Sequence, residues 1–216
     1  MKLVSENPGA SELALLLAAE RLFAEHGIAA VSLRQINQAA NQKNISAAHY
    51  HFGSREGLIR AVLAHRWPQL DRRRAEMLER PAPTKDLRFY LEAFVLPLVD
   101  ELAPRPEGSY YIRFMQQYER ERGDYEIARQ LSPAGVEIYK RIESLICYIP
   151  EDVRRLRIRY LINMIHSVFA AAEERICKGE MRYDEVPLTA ANAIDMFAAA
   201  LSAPLSAETI ALLPGK

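Results

Sequence analysis

Between Ser32 and Leu58 the chain reads SLRQINQAANQKNISAAHYHFGSREGL, and this short stretch constrains the fold more than any other. Ser32 followed three residues later by Gln35 fits a capping box, in which the two side chains satisfy orphan backbone donors at a helix start. A helix is therefore expected to begin near Leu33. Leu33, Ile36, Ala39 and Ala40 then repeat at helical spacing, and the alanines let a second helix approach closely. Asn41, Gln42, Lys43 and Asn44 contain no apolar residue, and asparagine tolerates left-handed backbone, so the chain turns there. A second short helix is expected from Ile45 to about Phe52, with Gly53 as its stop and Ser54 as the cap of a third. Asn44, Ser46, His49, Tyr50 and His51 put short donors and an aromatic hydroxyl where a solvated face normally carries Lys or Glu.

Upstream stands Ala18-Ala19-Glu20-Arg21-Leu22-Phe23-Ala24-Glu25-His26-Gly27, and downstream Tyr50-His51-Phe52 is followed by Gly53-Ser54-Arg55-Glu56-Gly57-Leu58. Together with Ser32 and Ile36, these linked motifs resemble the DNA-binding domain of the TetR family of bacterial transcriptional regulators, over roughly the first third of the chain. Members usually carry glycine where Asn41 stands and a Leu-Tyr pair where Ala48-His49 stand. The run from Ile36 to Phe52 is one residue longer than the commonest version and resembles a subgroup with an Asn-x-Ser-Ala-x-x-Tyr-His-Phe-Gly segment. The resemblance implies an all-α fold: a three-helix helix-turn-helix domain over residues 1–66, then a larger helical effector-binding and dimerisation domain over 67–216, with the helix from about residue 54 linking the two.

Charge agrees with that division. The chain is neutral overall, but residues 1–80 hold 11 Lys and Arg against 8 Asp and Glu, while residues 81–216 hold 17 against 20. Phosphate affinity must then come from a few placed groups and from doubling in a dimer. Lys43 and Arg55 are candidates for phosphate, as is Ser32 through its hydroxyl and its helix N-terminus. Ser46, His49 and Tyr50 are candidates for base edges or sugar-phosphate, and Asn44 and Ala47 complete the expected DNA-binding set. His51 divides between a backbone contact and a structural hydrogen bond, and Phe52 is expected in the core. His49 and His51 are two positions apart, so on a helix they diverge, and no acidic or cysteine partner stands at ligand spacing; no metal and no cofactor are expected.

Glycine-rich phosphate loops, nucleophile motifs and converging carboxylates are missing from the sequence, which argues against an enzyme. No apolar run approaches a membrane span, no signal segment is recognisable, and Cys147 and Cys177 read as reduced thiols, so a cytoplasmic protein is expected. Helices are expected over 54–79 with a kink at Pro68, from a Thr84 cap through 98 with Pro97 inside, over 110–122 after a loop from Pro104 to Gly108, over 124–149 with a break at Ser132-Pro133, over 151–177, and over 188–203 before a short tail. Pro81-Ala82-Pro83 is the clearest break in composition.

Two apolar faces stand out in the last helices. One comprises Ile158, Leu161, Ile162, Ile165, Val168, Phe169 and Ala172, the other Ala190, Ala191, Ala193, Ile194, Phe197, Ala198 and Leu201. A monomer core accounts for both; the resemblance instead implies that these two helices pair with their copies as a homodimer on a near-palindromic double-stranded operator. It also implies a small-molecule site. Phe94, Tyr111, Met115, Tyr118, Asn163 and His166 are the candidate ligand contacts, with ordinary core as the alternative, and an apolar or aromatic effector suits their chemistry. Asn163, His166 and Ser167 stand out because they interrupt an apolar helix. The function expected is a ligand-responsive, sequence-specific DNA-binding regulator, a repressor by the commoner family behaviour. The alternative is an architectural DNA-binding protein or an activator without an effector.

Overall fold

The computed structural model describes residues 8–44, 46–105, 108–121 and 125–214, and among them it contains helices and no strands. Ile45, Arg122 and Asp124, expected at helix ends, lie outside the described residues, as do Pro106 and Glu107 of the expected loop.

Helix α1 (Ala10–His26) ends at Gly27, whose φ of +83° suits a residue without Cβ. Helix α2 (Leu33–Ala39) starts with the capping box: Ser32 N donates to Gln35 Oε1 at 2.9 Å and Gln35 N to Ser32 Oγ at 3.3 Å. After the turn comes α3 (Ala47–Phe52), stopped by Gly53 at φ +73°. Ser54 Oγ then accepts from Gly57 N at 3.0 Å and opens α4 (Arg55–Glu79), which runs unbroken through Pro68. Helix α5 (Leu87–Val99) leads through a 3-10 turn (Asp100–Leu102) towards α6 (Tyr111–Glu121). Then follow α7 (Tyr125–Leu131), α8 (Pro133–Leu145), α9 (Glu151–Cys177), a second 3-10 turn (Tyr183–Glu185), α10 (Val186–Ser202) and α11 (Ala207–Ala211). Among the described residues no helix is long and apolar enough to cross a membrane.

Local chemistry moved three boundaries. Asp86, not Thr84, caps α5, because its Oδ1 reaches Phe89 N at 2.9 Å. Helix α8 stops at Leu145, and Ile146 and Ile149 turn back into the core. The tail forms the one-turn α11, nucleated by Ser206 Oγ accepting from Thr209 N at 3.1 Å.

A single core runs through the molecule. Leu15, Phe23, Ile36, Leu58 and Leu63 close the first bundle of α1–α4, and Tyr111, Phe114, Tyr118, Ile165 and Phe169 continue it into the second. Helix α6 joins the two, packing against both α1 and α9. Phe23 of α1 meets Phe114 of α6 with ring centroids 6.1 Å apart, and the chain of rings continues through Tyr118 to Trp67 of α4. Full burial of such a ring stabilises by about 2–3 kcal/mol, so the first bundle is held to the second by apolar contact.

The terminal helices turn one face in and one out. Ile158, Leu161, Ile165, Phe169 and Ala172 of α9, and Ala190, Ala193, Ile194, Phe197 and Leu201 of α10, are buried within this chain. What stays exposed is a different stripe: Leu156, Tyr160 and Met164 of α9, with Leu188 and Met196 of α10. Asn163 and Ser167 lie on that outer side, which explains how they interrupt an apolar helix without being buried.

Candidate nucleic-acid interface and effector core

The turn between α2 and α3 is held by side chains. Asn41 takes φ +51°, the left-handed backbone that glycine usually supplies. Asn44 Oδ1 accepts from Ser46 N at 2.9 Å, so Asn44 shapes the entry to α3. Buried Asn37 of α2 accepts from Ala48 N of α3 through Oδ1 at 2.8 Å and fixes the two helices against each other. Sequence reasoning missed Asn37; the signal was a short polar residue beside Ile36 on the buried side of α2.

Helix α3 then shows two opposed faces. Ala47 and Ala48 are buried at 6% and 0% exposure, while His49, Tyr50 and His51 face out, Tyr50 with 83% of its surface free. Tyr50 and His51 meet edge to face at 5.3 Å, and Phe52 is half-buried against the core. Ser46, Lys43 and Asn44 are exposed beside them. Two sequence assignments change. Ala47 keeps only a sliver of free surface, because it seats the helix on the core. The Ser32 hydroxyl is engaged with Gln35 Oε1 at 2.7 Å, which leaves the helix N-terminus rather than the hydroxyl to meet a phosphate. Arg55 is half-buried, its Nη1 3.4 Å from the Ala29 carbonyl. A six-residue helix bearing short donors and a free phenol is narrow enough for the major groove.

Residues 15–62 match the family described as bacterial regulatory proteins, TetR family. Over this segment the chain is similar to the TetR family. Its fold is similar to that of a TetR family transcription regulator from Marinobacter aquaeolei VT8, at 18% identity and TM-score 0.56 over 86% of this chain and 94% of that one. It is also similar to a TetR-like transcriptional regulator from Rhodococcus sp. RHA1, at 18% identity and TM-score 0.52 over 90% and 96%. Both likenesses concern the fold. No curated protein matches the chain.

Buried charges tie the helices together within and between the two bundles. Arg66 of α4 donates to Glu20 of α1 through Nε at 2.7 Å and Nη2 at 2.8 Å, a bidentate pair out of water. Arg66 also lies 3.8 Å from Glu101, which Arg73 and Arg105 approach at 3.2 and 2.7 Å. Glu173 of α9, 1% exposed, accepts from Ile112 N and Arg113 N at the start of α6, both at 3.0 Å, and from Arg113 Nε at 3.1 Å. Burial pushes the Glu173 carboxyl up, and these donors oppose it. Two clefts open along this junction. One of about 280 Å³ lies between Leu17, Arg21, Ala40 and Tyr110, the other of about 370 Å³ between Glu25, Arg113, Gln116 and Glu174.

Neither cleft is lined by any of the six candidate ligand residues. Tyr111, Met115 and Tyr118 are buried in the α6 core, Phe94 is half-buried, and Asn163 faces outward. Asn163 is therefore removed from the set: the helical period puts it on the opposite side of α9 from Ile165 and Phe169. His166 alone of the polar trio points in, 6% exposed. Burial, then the charge of Arg74, pushes its imidazole down to about 4, and a hydrogen bond with the Ile162 backbone opposes them.

That depression carries a pH dependence. The unfolded chain takes up the proton near pH 6.5, the folded chain only near 4, so stability is complete above pH 6.5 and falls as pH drops towards 4. His166 is expected to remove about 2 kcal/mol between pH 7 and pH 5. Denaturant unfolding at the two pH values, compared with His166→Leu, checks this; parallel pH profiles for the two proteins would refute it.

Proposed function

We propose that the chain is a ligand-responsive, sequence-specific DNA-binding repressor, with residues 1–66 as reading head and 67–216 as effector and dimerisation unit. The observation that carries the reading is the outward face of α3, where Tyr50 and its histidine neighbours stand free on a helix whose other face is sealed by Ala47 and Ala48. Ser46, His49 and Tyr50 meet base edges; Lys43, Arg55 and the α2 N-terminus meet phosphate; Asn44 and Ser32 shape the backbone that presents them. The protein acts in the cytoplasm without catalysis. An apolar or aromatic effector entering the second bundle shifts α4, and with it the head.

The exposed stripe of Leu156, Tyr160 and Met164 with Leu188 and Met196 supports pairing of α9 and α10 with their copies. A two-fold dimer sets its two α3 helices about 34 Å apart and so reads a near-palindrome. Tyr160→Glu introduces a charge into that face and is expected to give a folded monomer with weakened operator binding. Sedimentation analysis settles it, and a variant that stays dimeric would remove this interface.

Selection of genomic fragments by the purified protein near physiological salt tests the function itself. Enrichment of one palindromic site is expected; enrichment of none would leave only non-specific binding and favour an architectural role.

A further inference from the structure

Arg74 of α4 is 7% exposed and lies at the start of α8, between α4 and α5. Its Nη1 donates to Ser132 Oγ at 3.2 Å, its Nη2 reaches the Phe94 carbonyl at 3.4 Å, and its Cζ sits 4.0 Å over the Phe94 ring. These partners are neutral, and Nε has none. Asp71, one turn earlier on α4, uses both oxygens elsewhere: Oδ1 accepts from Ser132 Oγ at 2.7 Å and Gly135 N at 2.9 Å, and Oδ2 from Ala134 N at 3.1 Å. Asp71 thus caps α8, and Arg74 forms no ion pair among the described residues. Gly135 lets this cluster close, since a Cβ there would stand 2.5 Å from Ser132 Oγ and 3.0 Å from Arg74 Nη1.

The Asp71 carboxylate acts on the guanidinium only across Ser132 Oγ, and a buried guanidinium without a direct ion pair is costly to retain. His166, buried on α9, feels the charge of Arg74. Nε with a neighbouring Nη is the fork that a carboxylate fills with two parallel hydrogen bonds. Phe94 gives this fork an aromatic floor.

We infer that the effector is a carboxylate-bearing small molecule with an apolar or aromatic body, its carboxylate held by Arg74 over Phe94. This rests on the ligand-responsive reading above and names the chemistry of its effector. Neither cleft reaches Arg74, so entry of the carboxylate parts the helices around it. Arg74 stands on the helix that begins in the reading head, so the movement is carried along α4.

The test is thermal unfolding of the full chain without DNA, in acetate, hexanoate or benzoate, each beside its neutral amide, with inorganic phosphate as a further arm. Hexanoate or benzoate is expected to raise the midpoint by about 4 °C at ten times its dissociation constant, and the amides are not. Arg74→Met is expected to lose the shift, and Arg74→Lys, which keeps the charge but not the fork, to bind about tenfold more weakly. If Arg74→Met does not fold, Arg74→Lys decides. The inference is overturned if no carboxylate exceeds its amide, if the Arg74 variants respond like the wild type, or if phosphate does as well as carboxylate. Operator binding is measured separately: its loss in the wild type would remove the regulator reading while the carboxylate result stood.

Discussion

Replacing His49 and Tyr50 together by alanine is expected to weaken operator binding about 100-fold, roughly 3 kcal/mol, while the thermal midpoint stays within about 2 °C of wild type. Both side chains are exposed, and alanine favours the helix they stand on. The fold is therefore indifferent to what they touch, and any loss of binding reports the interface. Titration against the selected site and against a scrambled duplex at the same salt checks it. Affinity for the scrambled duplex should change little, because phosphate contacts from Lys43 and the helix termini remain. Retained specificity would mean that some other surface reads the DNA.

Glu20→Ala is expected to cost about 3–5 kcal/mol of folding stability, the usual penalty for leaving a buried charge without its partner. Glu20 is 3% exposed and takes two hydrogen bonds from Arg66, so its removal strands a guanidinium between α1 and α4. Glu101 at 3.8 Å from Arg66 offsets part of that loss. Glu20→Leu combined with Arg66→Met, which removes both charges and keeps the volume apolar, should recover most of the stability. Denaturant unfolding of the two single variants and the double closes the cycle. A loss below about 1 kcal/mol for Glu20→Ala would class the pair with surface ion pairs. Because the pair spans the first bundle, its loss should also blunt operator binding before the protein unfolds.

The reading head was legible because its signals are local. A capping box, a polar turn and a stop glycine each act within a few residues of the backbone they shape, and Ser32, Asn41, Gly53 and Ser54 behave as their chemistry dictates. Ala47 was misjudged for the same reason in reverse: its neighbours in sequence face out, and only packing against the core shows that it does not. Asn37 was overlooked because its partner, Ala48 N, lies across the turn.

The second bundle was less legible. Periodicity marked α9 and α10 as amphipathic, and most of their two apolar faces are buried within this chain, leaving Ala191, Leu156, Tyr160 and Met164 outside. Asn163 and His166 look alike in the sequence, three positions apart, but face opposite ways relative to the core, because which side of a helix is buried depends on the helices placed against it.

The sequence by itself determined an all-helical chain, the limits of most of its helices and a helix-turn-helix with an uncommon polar face, since propensity, capping and turn chemistry are short-range. Only the tertiary structure decided that Glu20 meets Arg66, that Glu173 caps α6 and that buried Arg74 meets Ser132. Those pairings join residues 46, 61 and 58 positions apart, and a charge becomes consequential when distant segments close over it and exclude water.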